Sequence, residues 1–117
     1  AVEERVGTQT SCVFYQKHSA HSKPMSNGVI GVLQLSIGTT NGCIVDVKHI
    51  VATAFRCNAT AIILSHNHPS GSLIPSESDH QLTRKVTKAA EYFGLKVLDH
   101  LILTSGGCYS FADEGEL

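Results

Sequence analysis

The chain has 117 residues, 42% of them hydrophobic and 16% charged, and its formal net charge is −1. That size and balance suit one domain over residues 1–117 with a modest core, and they exclude a disordered chain. No apolar run approaches the roughly 18 residues that span a bilayer, and no signal-peptide pattern opens the sequence. Near-neutral charge also argues against direct nucleic-acid binding, since neutralising phosphates supplies most of such affinity. Arg84, Lys85 and Lys88 form a local basic cluster that reads as a solvated helix face. The sequence starts at Ala1 rather than Met, as a fragment or processed chain would. Cys12, Cys43, Cys57 and Cys108 form no CxxC pair, which argues against a zinc ribbon or a redox motif. Free thiols in a reducing cytoplasm are the expectation.

The first ten residues are polar and carry no clear pattern. Residues 11–15, SCVFY, have strand composition. A polar stretch over residues 16–28, rich in Ser, Pro, Asn and Gly, reads as an exposed, mobile loop. Residues 29–38 form a second predicted strand with Ile30, Val32 and Gln34 on one face, and TTNG (39–42) reads as a turn. Asp46 is placed to cap a helix whose buried stripe is Ile50, Val51, Ala54 and Phe55. The continuous apolar run TAIIL (60–64) reads as a buried strand. The clearest helix runs over 76–93 with Leu82, Val86, Ala89, Ala90 and Phe93 on one face, and Gly94 stops it. LKVLDHLIL (95–103) is a strand, TSGG a turn and CYSF (108–111) a last short strand. The order β-β-α-β-α-β-β predicts an α/β (α+β) fold, a mixed sheet packed by two helices.

The chemistry concentrates in SHNHPSGSLIPSESD, residues 65–79. If His66 and His68 are still extended, side chains two apart project to one face and both imidazoles can converge on one ion. Pro69 and Gly71 then bend the chain away, and Asp79 falls in the first turn of the next helix. Two neutral imidazoles and a carboxylate suit Zn²⁺ and leave a fourth position for water, whose pKa the ion lowers toward about 7. The competing reading needs no metal. SESD matches a capping box, with Ser76 as cap and Asp79 reaching back, although the box favours the longer Glu or Gln. The two readings are compatible.

Other zinc patterns fail. The chain has no HExxH helix, no HxE followed by PCxxC, and no HxHxDH because Pro69-Ser70-Gly71 follows His68. The spaced pattern His66-x-His68-Pro69-x6-Ser76-x2-Asp79 resembles the JAMM (MPN+) metalloprotease motif at every defined position. The flanks AIILSHNHPSG (61–71), VLDHLIL (97–103) and YSFADEG (109–115) are similar to the RadC family, the bacterial branch of that fold. The resemblance covers residues 29–115 well and residues 1–28 poorly.

The resemblance implies a JAB/MPN-like domain of cytidine-deaminase-like architecture. It implies His66, His68 and Asp79 as zinc ligands, and Ser76 as a hydroxyl that steadies the oxyanion or the attacking water. It also implies a glutamate before the first strand as general base. Here the chain departs from the pattern, because residues 7–11 before the first strand hold no acid. Glu4, or less directly Glu3, is the nearest candidate, and otherwise the base is missing. Strand alternation turns one of Asp99 and His100 toward the site to orient a ligand, against a structural hydrogen-bond role. His18, His21, His49 and His80 read as surface residues, and Cys108 as core.

Three functions follow. The first is a zinc-dependent peptidase or isopeptidase acting on an unknown peptide or protein, with no membrane partner. The second is a DNA-associated module, as the DNA-repair label of RadC-like proteins implies. The third is an inactive MPN-type interaction domain, which the uncertain glutamate supports.

Overall fold

A computed structural model describes residues 8–17, 27–38 and 45–117. The described residues form β1 (Thr8–Lys17), β2 (Asn27–Gly38), α1 (Val47–Arg56), β3 (Ala61–Asn67), α2 (Glu77–Tyr92), β4 (Lys96–Thr104) and β5 (Gly107–Ser110). The strands make one five-stranded sheet in the order β2-β1-β3-β4-β5. β3 and β4 are parallel and joined through α2, and every other neighbouring pair is antiparallel. The expected element order and the mixed α+β sheet with two helices are therefore present.

The strand period of two explains the core. Ile62 and Leu64 point to one face of β3, opposite Phe14 and Cys12 of β1, and all four are buried. Ile50 and Ala54 of α1 and Val86 and Ala90 of α2 join the same cluster, so both helices cover that face. Asp46 caps α1 by accepting the Lys48 N–H. α2 ends where Gly94 takes φ +74°, a left-handed conformation open to glycine without a Cβ clash. Leu95 then bonds back to the Ala90 carbonyl, and the chain turns into β4.

Two expectations need correction. Phe55 and Phe93 are exposed rather than part of the buried stripes, and their rings meet edge to face at 5.3 Å. They lie at the C-terminal ends of their helices, where helical spacing still holds but the sheet no longer stands opposite. Cys108 is exposed, because β5 is a four-residue edge strand. On β2, Ile30, Val32 and Gln34 share one face as expected, and that face is exposed, while Leu33 and Leu35 pack against the core. His49 is exposed as expected, whereas His80 is half-buried between Phe111 and Glu116. His18, His21, Cys43, the 39–42 turn and most of the 16–28 loop lie outside the described residues. Among the described residues, no helix is long and apolar enough to cross a membrane.

Candidate metal centre

The apolar row on β3 does not stop at the end of the core. Ile62 and Leu64 are followed at the same spacing by His66 and then His68, whose N–H extends the ladder to the Leu103 carbonyl. The strand thus turns from packing to chemistry within one face. Directly after it, the Gly71 N–H bonds to the His68 carbonyl and Gly71 takes φ +84°. That turn sends the chain away from the sheet, and it returns at Ser76 to begin α2.

Asp79 is the third residue of α2 and is buried. The expected capping box is present. Ser76 Oγ accepts the Asp79 N–H at 3.2 Å, and Asp79 Oδ2 accepts the Ser76 N–H at 2.8 Å. The same carboxylate faces both histidines. His68 Nε2 lies 3.0 Å from Oδ2 and His66 Nε2 lies 3.4 Å from Oδ1. The rings stand nearly perpendicular, 5.0 Å apart. Capping and metal binding are therefore compatible in one side chain. His66, His68 and Asp79 form a group that could hold a metal ion, with one ligand atom from each within 4.8 Å of the others.

Hydrogen bonding sharpens this geometry. His68 Nδ1 lies 2.9 Å from the Ser72 carbonyl, which can only accept, so Nδ1 carries a proton. In the neutral ring, Nε2 is then a bare lone pair aimed at a carboxylate oxygen. Two acceptors at 3.0 Å repel unless a cation lies between them, either a second proton or a metal ion. His66 Nδ1 is engaged by the Thr10 hydroxyl at 2.9 Å, which leaves its Nε2 turned to the same point. Partners on the far nitrogen of this kind fix a histidine's ring and tautomer for ligation. Burial lowers the His66 pKa, partly offset by Asp79 and reinforced by the second imidazole, so the ring favours its neutral, metal-binding form. For Asp79, burial works to raise the pKa, but the two bonds from Ser76 and the histidines outweigh it and hold the group ionised. The donor set is two nitrogens and a carboxylate oxygen, a combination Zn²⁺ accepts.

The remaining site residues divide. Ser76 is exposed and stands beside the carboxylate it caps. Glu3 and Glu4 lie outside the described residues. From β1 it is Thr10, paired opposite His66, that meets the centre. Of the Asp99–His100 pair, Asp99 turns to the C-terminal segment, accepting from Ser110 Oγ at 2.6 Å and the Ala112 N–H at 3.0 Å. His100 is buried and reaches α2 through Thr83. Sequence reasoning missed Thr10, Thr83 and the Ser72 carbonyl. Thr83 alone left a trace, as a hydroxyl four residues after Asp79 beside an apolar stripe.

A mixed sheet whose central strand leads through two histidines to a crossover helix bearing an acid defines a class, the α+β domain with a His-His-Asp strand–helix junction that could hold a metal ion. Residues 24–116 match the family described as the RadC-like JAB domain. The chain is 50% identical over 90 residues to a UPF0758 protein of Flavobacterium johnsoniae, covering 77% of this chain and 39% of that protein. It is 43% identical over 91 residues to one of Trichlorobacter lovleyi, covering 78% and 40%. It is 39% identical over 89 residues to one of Thermotoga maritima, covering 76% and 40%. The chain belongs to the RadC-like JAB domain family. Its matched region spans about two-fifths of the length of these curated relatives.

Proposed function

We propose that this domain is a zinc-dependent hydrolase of the JAMM type that cleaves a peptide or isopeptide bond. The observation that supports it most is the pair of facing acceptors, His68 Nε2 and Asp79 Oδ2 at 3.0 Å, with His66 Nε2 turned to the same carboxylate. Such an arrangement calls for a cation, and two imidazoles with a carboxylate suit zinc. A zinc ion held there supplies Lewis acidity and a water activated near neutral pH.

The chain's own residues have distinct parts in this reading. His66, His68 and Asp79 hold the ion. Ser76 Oγ accepts from the Asp79 N–H, and its hydroxyl is assigned to donate to the oxyanion that develops on the scissile carbonyl. Glu4 is assigned as the general base. It takes a proton from the attacking water and delivers it to the leaving amine as the C–N bond breaks. The substrate is a peptide or protein, and net charge of −1 gives no support to direct DNA contact. A reducing cytoplasm suits the unpaired Cys12, Cys57 and Cys108.

One observation favours a second reading, an inactive interaction domain. Residues 7–11, ahead of the apolar run of the first strand, hold no acid to serve as general base. Zinc-loaded protein assayed on a general peptide substrate separates the two. Hydrolysis that a chelator abolishes and Glu4→Gln lowers by about 100-fold supports the enzyme with this base. Zinc binding without hydrolysis in the wild type supports the inactive domain.

A further inference from the structure

The inner face of α2 is apolar at Val86 and Ala90 but polar at Asp79 and Thr83. Thr83 is 4% exposed, and it meets His100 of β4, which is 0% exposed. The Thr83 hydroxyl donates to the Asp79 carbonyl at 2.8 Å. A hydroxyl has a single proton, so the 2.6 Å contact between Thr83 Oγ1 and His100 Nδ1 makes His100 the donor. The direction of the chain is thereby fixed: His100 Nδ1–H to Thr83 Oγ1–H to the Asp79 carbonyl.

His100 is held by its neighbours on β4 and the C-terminal segment as well. Its ring stacks on Phe111 at 4.7 Å and 10°. Its N–H donates to Asp99 Oδ1 at 2.7 Å, and its carbonyl accepts the Phe111 N–H at 3.1 Å. The cost of this placement is visible at Nε2, a bare, buried nitrogen without a hydrogen-bond partner among the described residues. Two apolar side chains would fill the space without that orphan, so stability alone does not account for the pair.

We propose that Thr83 and His100 are positioning residues for the metal centre, a buried anchor that fixes where α2 presents the Asp79 carboxylate to the two histidines. The proposal rests on the metal-centre reading above. Its geometry is direct. On β4, His100 lies opposite Leu64 and Ile102 lies opposite His66, so the strand pair that carries His66 also carries the anchor. Sliding or rotating α2 would move Asp79 relative to His66 and break the chain at Thr83. Thr10 and the Ser72 carbonyl orient the imidazoles, and the anchor sets the third ligand against them.

The test uses the full chain with Thr83→Val, which removes the hydroxyl at nearly constant volume, and Thr83→Ser, which keeps it. Zinc affinity is read by competition with a chelating dye, and site geometry by the visible spectrum of the cobalt(II) form. Circular dichroism without metal reports folding. Thr83→Val is expected to weaken zinc binding by about tenfold or more and to alter the cobalt spectrum, with Thr83→Ser restoring both. His100→Asn, whose amide can donate from the Nδ1 position, is expected to bind more tightly than His100→Leu. Folded Thr83→Val with wild-type affinity and spectrum overturns the anchor alone, as does equal weakening in Thr83→Val and Thr83→Ser. Should Thr83→Val not fold, equal affinities in His100→Asn and His100→Leu overturn it instead. A wild-type chain that takes up neither ion overturns the metal reading and the anchor with it.

Discussion

The two ends of α2 put the same helical periodicity to opposite uses. At its N-terminal end the inward positions are Asp79 and Thr83, both buried and both fully engaged in hydrogen bonds. Toward its C-terminal end they are Val86 and Ala90, packed in the core with Ile50 and Ile62. Beyond them Tyr92 and Phe93 leave the sheet and are exposed. The apolar half holds the helix on the sheet, which lets the other half carry polar groups that add little packing. The polar groups sit where apolar packing has been given up, and they are steadied by hydrogen bonds instead.

Acid should reveal the polar end first. Burial lowers the His100 pKa from 6.5 to about 4, so the folded state holds this ring neutral while the unfolded chain takes up a proton. More protons bound by the unfolded state means stability that falls as pH drops from 6.5 to about 4. That gap corresponds to a loss of about 3 kcal/mol, and the lowered His66 pKa acts in the same direction. Asp79 contributes in a separate window, because the stability its depressed pKa supplies is lost only as pH falls below 3.8. Chemical denaturation at stepped pH in chelator should show the upper limb, and His100→Asn should flatten it. An unchanged limb in that variant would assign it elsewhere.

Paired substitutions then separate ligand from packing. With zinc at about 100 times its Kd, the wild type should gain about 2.7 kcal/mol of stability, and Asp79→Ala should abolish that gain. Val86→Ala should lower stability by about 2 kcal/mol through the cavity it leaves, with zinc affinity intact. Thermal unfolding with and without zinc reads both, and a loss of zinc affinity in Val86→Ala would contradict the division. The smallest effect belongs to the exposed end. Phe93→Ser should change stability by no more than about 0.5 kcal/mol, since its contacts include the exposed rings of Phe55 and Tyr92.

How much of this was legible follows from distance along the chain. His66, His68, Ser76 and Asp79 were readable because strand alternation and the capping box are local rules acting over two and three residues. The element order was readable for the same reason, with strand ends shifted by up to three residues. Thr10 was not readable, because it meets His66 only through the register of β1 on β3, pairing residues 56 apart in sequence. The Thr83–His100 contact spans a helix and a turn and depends equally on packing. Phe55 and Phe93 were misplaced since periodicity gives a side chain's direction but not whether a neighbour stands there. Cys108 failed similarly, because a short edge strand has the composition of a core strand without its burial.

The metal reading places a zinc ion, rather than a second proton, between His68 and Asp79. Equilibrium dialysis of the purified, chelator-stripped chain against zinc, followed by elemental analysis, addresses it directly. The expected result is about one zinc per chain, lost in His68→Ala and Asp79→Ala. No zinc retained by the folded wild type would contradict it, leaving a protonated His68 paired with Asp79 as the cation between the two acceptors.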